Sequence, residues 1–255
     1  MTVPVSTTRP AVVLPTYNER ENLPRLVAAL RGLQRGLRMV VVDDDSPDGT
    51  GALADDLAAQ GSDLTVLHRR GQRGFGGAQT AGLAEALRGG ADAVVTMDCD
   101  FSHDPAAVPA LLDALAENDL VIGSRYVAGG EIRDWPLFRL ILSATANSFV
   151  RLLFRLPAHD CTSGFRAYRP HVLATIPWER LHSPGYSFLV EVLYWATRTP
   201  GARTAEVPIC FTERRQGRSK MGWREIVLGA ANLLKLRLQL AVGSPPDPRA
   251  EANKT

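Results

Sequence analysis

Two aspartates one residue apart, Asp98 and Asp100, directly follow the apolar run Ala93-Val94-Val95-Thr96-Met97. A short apolar run of this kind reads as a strand buried in a parallel sheet. Carboxylates at its end fall at the carboxyl edge of the sheet, where open α/β sheets bind ligands. Two hard oxygen donors there suit Mg²⁺ or Mn²⁺, the ions that hold diphosphates. Taken alone, such a pair is equally a solvated turn. A second acidic strand end, Asp43-Asp44-Asp45 after Met39-Val40-Val41-Val42, strengthens the ligand reading.

The elements that position these groups alternate between strand and helix. Ala11–Pro15 reads as a strand ending in Thr16-Tyr17-Asn18. A helix over 21–35 follows, with apolar spacing at Leu23, Leu26, Val27 and Leu30. After the strand Met39–Val42, Ser46-Pro47-Asp48-Gly49 has turn chemistry. Thr50–Gln60 reads as helix and Leu64–Leu67 as strand. A Gly-rich turn from Gly71 to Gly77 then leads into a helix ending near Arg88. The strand Ala93–Met97, a helix over Pro105–Glu117 and the strand Leu120–Ile122 complete the series. The alternation predicts an α/β fold with a mainly parallel central sheet flanked by helices. One edge of that sheet collects Tyr17, Asp44, Asp98 and Asp100, as a nucleotide site requires. Arg73-Gly74-Phe75-Gly76-Gly77 lacks the residues of a P-loop and of the full dinucleotide fingerprint. It reads either as close backbone approach to a ligand or as a simple tight turn.

The chain has 255 residues, 45% hydrophobic and 22% charged, which fits one large soluble domain, or at most one domain with a small extension. A net charge of +2 is too balanced for nucleic-acid binding. Three cysteines, Cys99, Cys161 and Cys210, without Cys-x-x-Cys spacing argue against a disulfide framework or a zinc site. Residues 1–9 carry no apolar signal segment, and the polar, Pro-rich residues 244–255 read as disordered. A single domain over 10–243 is expected between them. No charge-free run of about 18 apolar residues occurs, so no transmembrane helix is expected. Leu137–Leu156 and Gly222–Val242 read as amphipathic helices carrying Arg139, Arg151, Arg155, Arg224, Lys235 and Arg237. That pattern suits a membrane interface, packing on the sheet, or a membrane-anchored partner. Most of the first helix is expected to pack on the core, and the second to meet the membrane.

The second half carries the cations. Gly123-Ser124-Arg125-Tyr126 follows a strand, and Arg139 and Ser143 stand at i,i+4 on one helix face. Asp160-Cys161-Thr162-Ser163-Gly164-Phe165-Arg166 forms a compact polar turn. Arg214, Arg215, Arg218 and Lys220 place four cations in seven residues. Arginine forks match phosphate oxygens bidentately. Beside a diphosphate site the cluster argues for an anionic substrate; by itself it reads as a solvated loop. His103 reads as the start of the helix at Asp104-Pro105, or as a neighbour of the metal.

With these motifs in order, the chain resembles the dolichol- and polyprenol-phosphate mannosyltransferases, family 2 glycosyltransferases of GT-A fold. Leu14-Pro15-Thr16-Tyr17-Asn18-Glu19, Val42-Asp43-Asp44-Asp45-Ser46, Met97-Asp98-Cys99-Asp100, Gly123-Ser124-Arg125-Tyr126, Thr162-Ser163-Gly164-Phe165-Arg166 and Arg214 to Lys220 carry the likeness, across about residues 10–240. The resemblance implies transfer of mannose from GDP-mannose to a polyprenyl phosphate. It implies that Pro15, Tyr17, Glu19, Val42 and Asp44 hold the guanosine. Asp98 and Asp100, with Ser102, would sit at a divalent metal and the donor diphosphate. Arg125, Arg139, Ser143, Arg214 and Lys220 would bind the phosphates, and Asp100, Arg125, Arg139 and Arg214 would carry catalysis. Two departures stand out. Cys99 replaces a common Ala, and Ser102 stands where some relatives have a Gln ligand. Glu191 matches a family glutamate, read either as a substrate group or as a buried carboxylate paired with an Arg.

The nucleophile of such a reaction is a lipid phosphate oxygen. A phosphate monoester has a second pKa of about 6, so no side chain need remove a proton. The expected product is inverted, a β-mannosyl phosphate lipid. The resemblance also implies peripheral attachment at the cytoplasmic face of a membrane, directly or through an anchored partner. An alternative is UDP-glucose, or another sugar nucleotide, as donor to the same lipid.

Overall fold

A computed structural model describes residues 9–181, 183, 185–212, 229, 231–238 and 240. The first half follows the expected alternation as β1 (Pro10–Thr16), α1 (Leu23–Gly32), β2 (Arg38–Asp43), α2 (Thr50–Ala58), β3 (Leu64–His68), α3 (Phe75–Arg88), β4 (Ala93–Thr96), α4 (Val108–Ala114) and β5 (Leu120–Ser124). The second half adds β6 (Glu131–Arg133), α5 (Leu137–Phe154), β7 (Arg166–Tyr168), α6 (Pro170–Ala174), α7 (Tyr186–Ala196), β8 (Thr204–Pro208) and β9 (Cys210–Thr212). Seven strands form one sheet in the order β3-β2-β1-β4-β7-β5-β8. All run parallel except β7, which is antiparallel to both β4 and β5. β6 and β9 pair separately as a parallel ribbon.

Two boundaries differ from expectation for local reasons. Asp104 accepts a hydrogen bond from the Ala106 amide (2.9 Å), so the segment expected as one helix begins with a 3₁₀ turn, Pro105–Ala107. The Gly-rich turn is shorter than expected because α3 starts at Phe75 and takes in Gly76 and Gly77. The larger correction is β7. By its sequence Arg166 closes a polar turn, yet in the fold it pairs with Thr96 on one side and Ile122 on the other.

The strands alternate between two apolar layers, as period-2 geometry requires. Val13, Val40, Val42, Val94 and Ile122 face α3, α6 and α7. Val12, Leu14, Met39, Val41 and Val95 face α1, α2 and α4. Helix α5 departs from the expected core packing. It buries only Asn147, Val150 and Phe154, while Leu137, Phe138, Ile141 and Leu152 are exposed by 58–82%. Among the described residues it is the one helix long and apolar enough to cross a membrane by length and composition. Helical residues 231–238 lie beside its end, where Arg237 donates to the Leu153 carbonyl (3.1 Å). Leu234 and Leu238 extend the exposed apolar surface.

Helix α3 sits tightly on the sheet at Gly82. A Cβ there would lie 2.3 Å from Val13 Cγ1 and 2.9 Å from Val42 Cγ2. Valine is stiff at χ1 and cannot swing away. Gly82→Ala is therefore expected to lose about 1–3 kcal/mol to overpacking, more than the ~1 kcal/mol gained in helix propensity. Gly32→Ala, with nothing within 4 Å, is expected to be neutral or stabilising. Urea denaturation of both variants checks the contrast.

Candidate active site

Strand register brings the polar ends together. Thr16 pairs with Asp43, and Asp43 with His68, so β1, β2 and β3 end in one row. Met97 donates its amide to the Val13 carbonyl (3.1 Å), aligning the end of β4 with them. Because β7 runs the other way, its entry turn, residues 160–165, arrives at the same edge. Gly123 donates to the Phe165 carbonyl (2.8 Å), and Thr96 Oγ1 donates to the Gly164 carbonyl (2.7 Å). Three non-glycine residues just past the strand ends take positive φ, Asn18 (60°), Asp45 (61°) and Phe101 (60°). Asn and Asp tolerate this region, but for an aromatic residue it is strained. The Phe101 turn re-aims the chain immediately after Asp100.

Asp98 and Asp100 occupy different environments. The Asp98 side chain is 34% exposed, while Asp100 is buried and accepts the Ser102 amide (2.9 Å) through Oδ1. Ser102 is itself buried, and its carbonyl accepts from the Thr212 amide (3.1 Å). His103 lies inside, stacked on Phe165 (centroids 5.0 Å apart) and 3.9 Å from Asp98. Burial lowers its pKa against the pull of Asp98 and Asp100, leaving a neutral imidazole at pH 7. Among the described residues no three His, Cys, Asp or Glu side chains gather to hold an ion by themselves. Two carboxylates, one reached by water, do fit a hard cation that takes its remaining ligands from phosphate oxygens. Cys99 is buried, as a small core side chain.

The residues expected to seat a nucleoside line the neighbouring strand ends. Asp44 is buried, accepts the Gly74 amide (2.8 Å) and is ion-paired with Arg69. Arg73 lies over the exposed Tyr17 ring (5.0 Å). The Glu19 amide donates to Thr50 Oγ1 (2.9 Å), and its carboxylate accepts from Asn22 (2.8 Å). Pro15 and Val42 are paired in register beneath them. Arg69, in contact with Asp44, is a candidate site residue that sequence reasoning misses. Its one signal there is its place directly after the third strand, level with Asp44.

Arg125 is held inside the protein. Its Nε and Nη2 donate to the two oxygens of Asp160 (2.7 and 2.8 Å), and Nη2 also reaches Thr162 Oγ1 (2.9 Å). Asp160 is fully buried and also accepts the amides of Arg125 and Ser163 (both 3.1 Å). Burial pushes its pKa up, but the hydrogen bonds and charge of Arg125 outweigh this and hold it below the usual range. Glu206 accepts the amides of His159 (2.8 Å) and Asp160 (2.9 Å), which fixes the turn against β8. Asn147 ties α5 to it, accepting the Cys161 amide (2.9 Å). On the same helix Ser143 accepts from Tyr126 (2.7 Å), and Arg139 lies over Trp135 (4.0 Å). Glu191 is buried and accepts the Ser183 amide (3.2 Å). Arg214 and Lys220 lie outside the described residues.

Residues 11–176 match the model of the Glycosyl transferase family 2 family. The chain is 48% identical over 222 residues to a polyprenol monophosphomannose synthase of Mycolicibacterium smegmatis, covering 86% of this chain and 83% of the relative. It is 44% identical over 213 residues to an undecaprenyl-phosphate mannosyltransferase of Micrococcus luteus, covering 84% and 87%. Among solved structures, glucosyl-3-phosphoglycerate synthase from Mycobacterium tuberculosis, in complex with Mn²⁺, UDP and phosphoglyceric acid, superimposes with a TM-score of 0.65 at 22% identity, covering 93% of this chain and 79% of that one. A mannosyltransferase from Pyrobaculum calidifontis, in complex with GDP-Man and Mn²⁺, gives 0.59 at 20% identity, covering 97% and 68%. These establish the GT-A fold. The chain belongs to glycosyl transferase family 2 and is a glycosyltransferase.

Proposed function

We propose that this glycosyltransferase moves mannose from GDP-mannose to a polyprenyl phosphate, inverting the anomeric centre. The observation that carries the reading is 48% identity over 222 residues to a protein named for forming polyprenol monophosphomannose. The placement of Tyr17, Asp44, Asp98 and Asp100 along one sheet edge is consistent with a sugar-nucleotide donor lying across β1, β2 and β4.

In this reading Pro15, Tyr17, Glu19, Val42 and Asp44 seat the guanosine. Asp98 and Asp100 would hold a divalent ion, with Asp100 aimed by the Ser102 amide. When bound, that ion would stabilise charge on the departing diphosphate. The acceptor phosphate is already largely dianionic at neutral pH. One of its oxygens forms a bond to the anomeric carbon as the bond from that carbon to the diphosphate oxygen breaks, releasing GDP. No proton has to move to a side chain. Arg139 on α5 and the cations Arg214 and Lys220 offset repulsion between the two anions. Arg125, engaged by Asp160, acts as a positioning residue that fixes the loop after β5 and the turn before β7.

The exposed face of α5, with Arg139 and Arg151 on the same helix, suits a helix lying in a membrane interface. It would bring the site to its lipid at the cytoplasmic face.

Radiolabel from GDP-mannose is expected to enter organic-extractable lipid only when polyprenyl phosphate and Mg²⁺ or Mn²⁺ are present. UDP-glucose in the same assay tests the donor. Asp100→Ala is expected to abolish incorporation; full activity in that variant would refute the metal role. A Leu137→Gln, Phe138→Gln, Ile141→Gln variant is expected to bind anionic vesicles less and to show a several-fold higher KM for polyprenyl phosphate. Its affinity for GDP should be unchanged. Asp160→Asn leaves the Arg125 charge buried without its carboxylate and is expected to cost about 3–5 kcal/mol of stability by chemical denaturation.

A further inference from the structure

The loop after β3 closes over the acidic end of β2 with a bond to each of three successive aspartates. The Arg69 amide donates to the Asp43 carbonyl (2.9 Å). The Arg69 guanidinium and the Gly74 amide (2.8 Å) engage opposite oxygens of the Asp44 carboxylate. The Gly71 amide reaches Asp45 (3.4 Å). This is no solvated surface pair, since the side chains of Arg69 and Asp44 are only 15% and 7% exposed. Arg69 also donates to the Gly74 carbonyl (3.3 Å), so one guanidinium braces both the carboxylate and the loop. The same loop carries Arg73 to the Tyr17 ring. Gly77 makes the arrangement possible, because a Cβ there would lie 2.3 Å from Arg69 Nη2.

We infer that Arg69 is a positioning residue for the nucleoside end of the donor site. It aims the Asp44 carboxylate and holds the 69–77 loop across the ends of β1 and β2. The inference rests on the sugar-nucleotide reading above. An ionised carboxylate offers about four acceptor sites, so the two bonds from Arg69 and Gly74 orient Asp44 while leaving it able to accept from a base or ribose. The guanidinium also compensates a negative charge that would otherwise face an anionic donor.

Calorimetric titration with GDP tests this on the full chain, with initial rates measured for both substrates. Arg69→Met is expected to weaken GDP binding by about tenfold or more, the scale of a lost charge-assisted contact. It should raise the KM for GDP-mannose alike and leave the KM for polyprenyl phosphate within about twofold. Arg69→Lys should restore part of the loss. Gly77→Ala, which displaces the guanidinium without removing it, should act in the same direction and serves if Arg69→Met does not fold. A doubly substituted Asp44→Asn, Arg69→Met chain should bind GDP no more weakly than Asp44→Asn alone. GDP affinity unchanged in Arg69→Met or Gly77→Ala, or losses that simply add in the double variant, would overturn the inference. A wild-type chain that binds no GDP would instead overturn the donor reading, and this inference with it.

Discussion

The Arg125–Asp160 pair is the bond on which the candidate active-site edge depends. It joins the residue after β5 to the turn that precedes β7, across 35 positions of sequence. Taking two charges out of water is costly, and the cost is offset only when geometry and further hydrogen bonds are good. Here Asp160 meets a bidentate guanidinium and two amides, and Thr162 takes a further guanidinium proton. Through Glu206 and Asn147 the same knot fastens β8 and α5. Helix α5, with only three buried residues, is thereby fastened at the site by polar bonds as well as by packing.

The paired carboxylates show how a strand end becomes a site. Asp98 and Asp100 are separated by one residue, yet one faces water and the other is tied down inside. The strained Phe101 backbone and the buried neutral His103 stand immediately behind them. Strain of this kind persists only where surrounding contacts over-determine the backbone. The Ser102 amide on Asp100 and the Thr212 amide on the Ser102 carbonyl supply such contacts.

Much of this is legible in the residues. Near-continuous apolar runs mark Met39–Val42 and Ala93–Thr96 as strands, and the acidic residues after them mark the edge. Strand β7 is not legible, because Arg166-Ala167-Tyr168 is three residues long and opens with a charge. That charge is fully buried, donating to the carbonyls of Leu189 and Cys161, and no local pattern announces a partner from another helix. Helix α5 misleads in the opposite sense. Its apolar content is that of a core helix, and only its neighbours decide that Phe138 and Leu152 remain outside. Arg69 looks like any surface arginine until the fold sets Asp44 against it, and the motif that marks Arg125 gives no sign that its partner is Asp160.

The antiparallel strand also decides whether the sheet is one piece or two. β4 and β5 are separated in the finished sheet by a strand that is synthesised after both. The first four strands pair among themselves without β7, but β4 then presents a bare edge. Non-local pairing of this kind is slow, and unpaired edges invite association with other chains. The three residues of β7 thus act as a keystone: without them β4 ends one sheet, β5 and β8 form another, and the two halves of the candidate edge do not face each other.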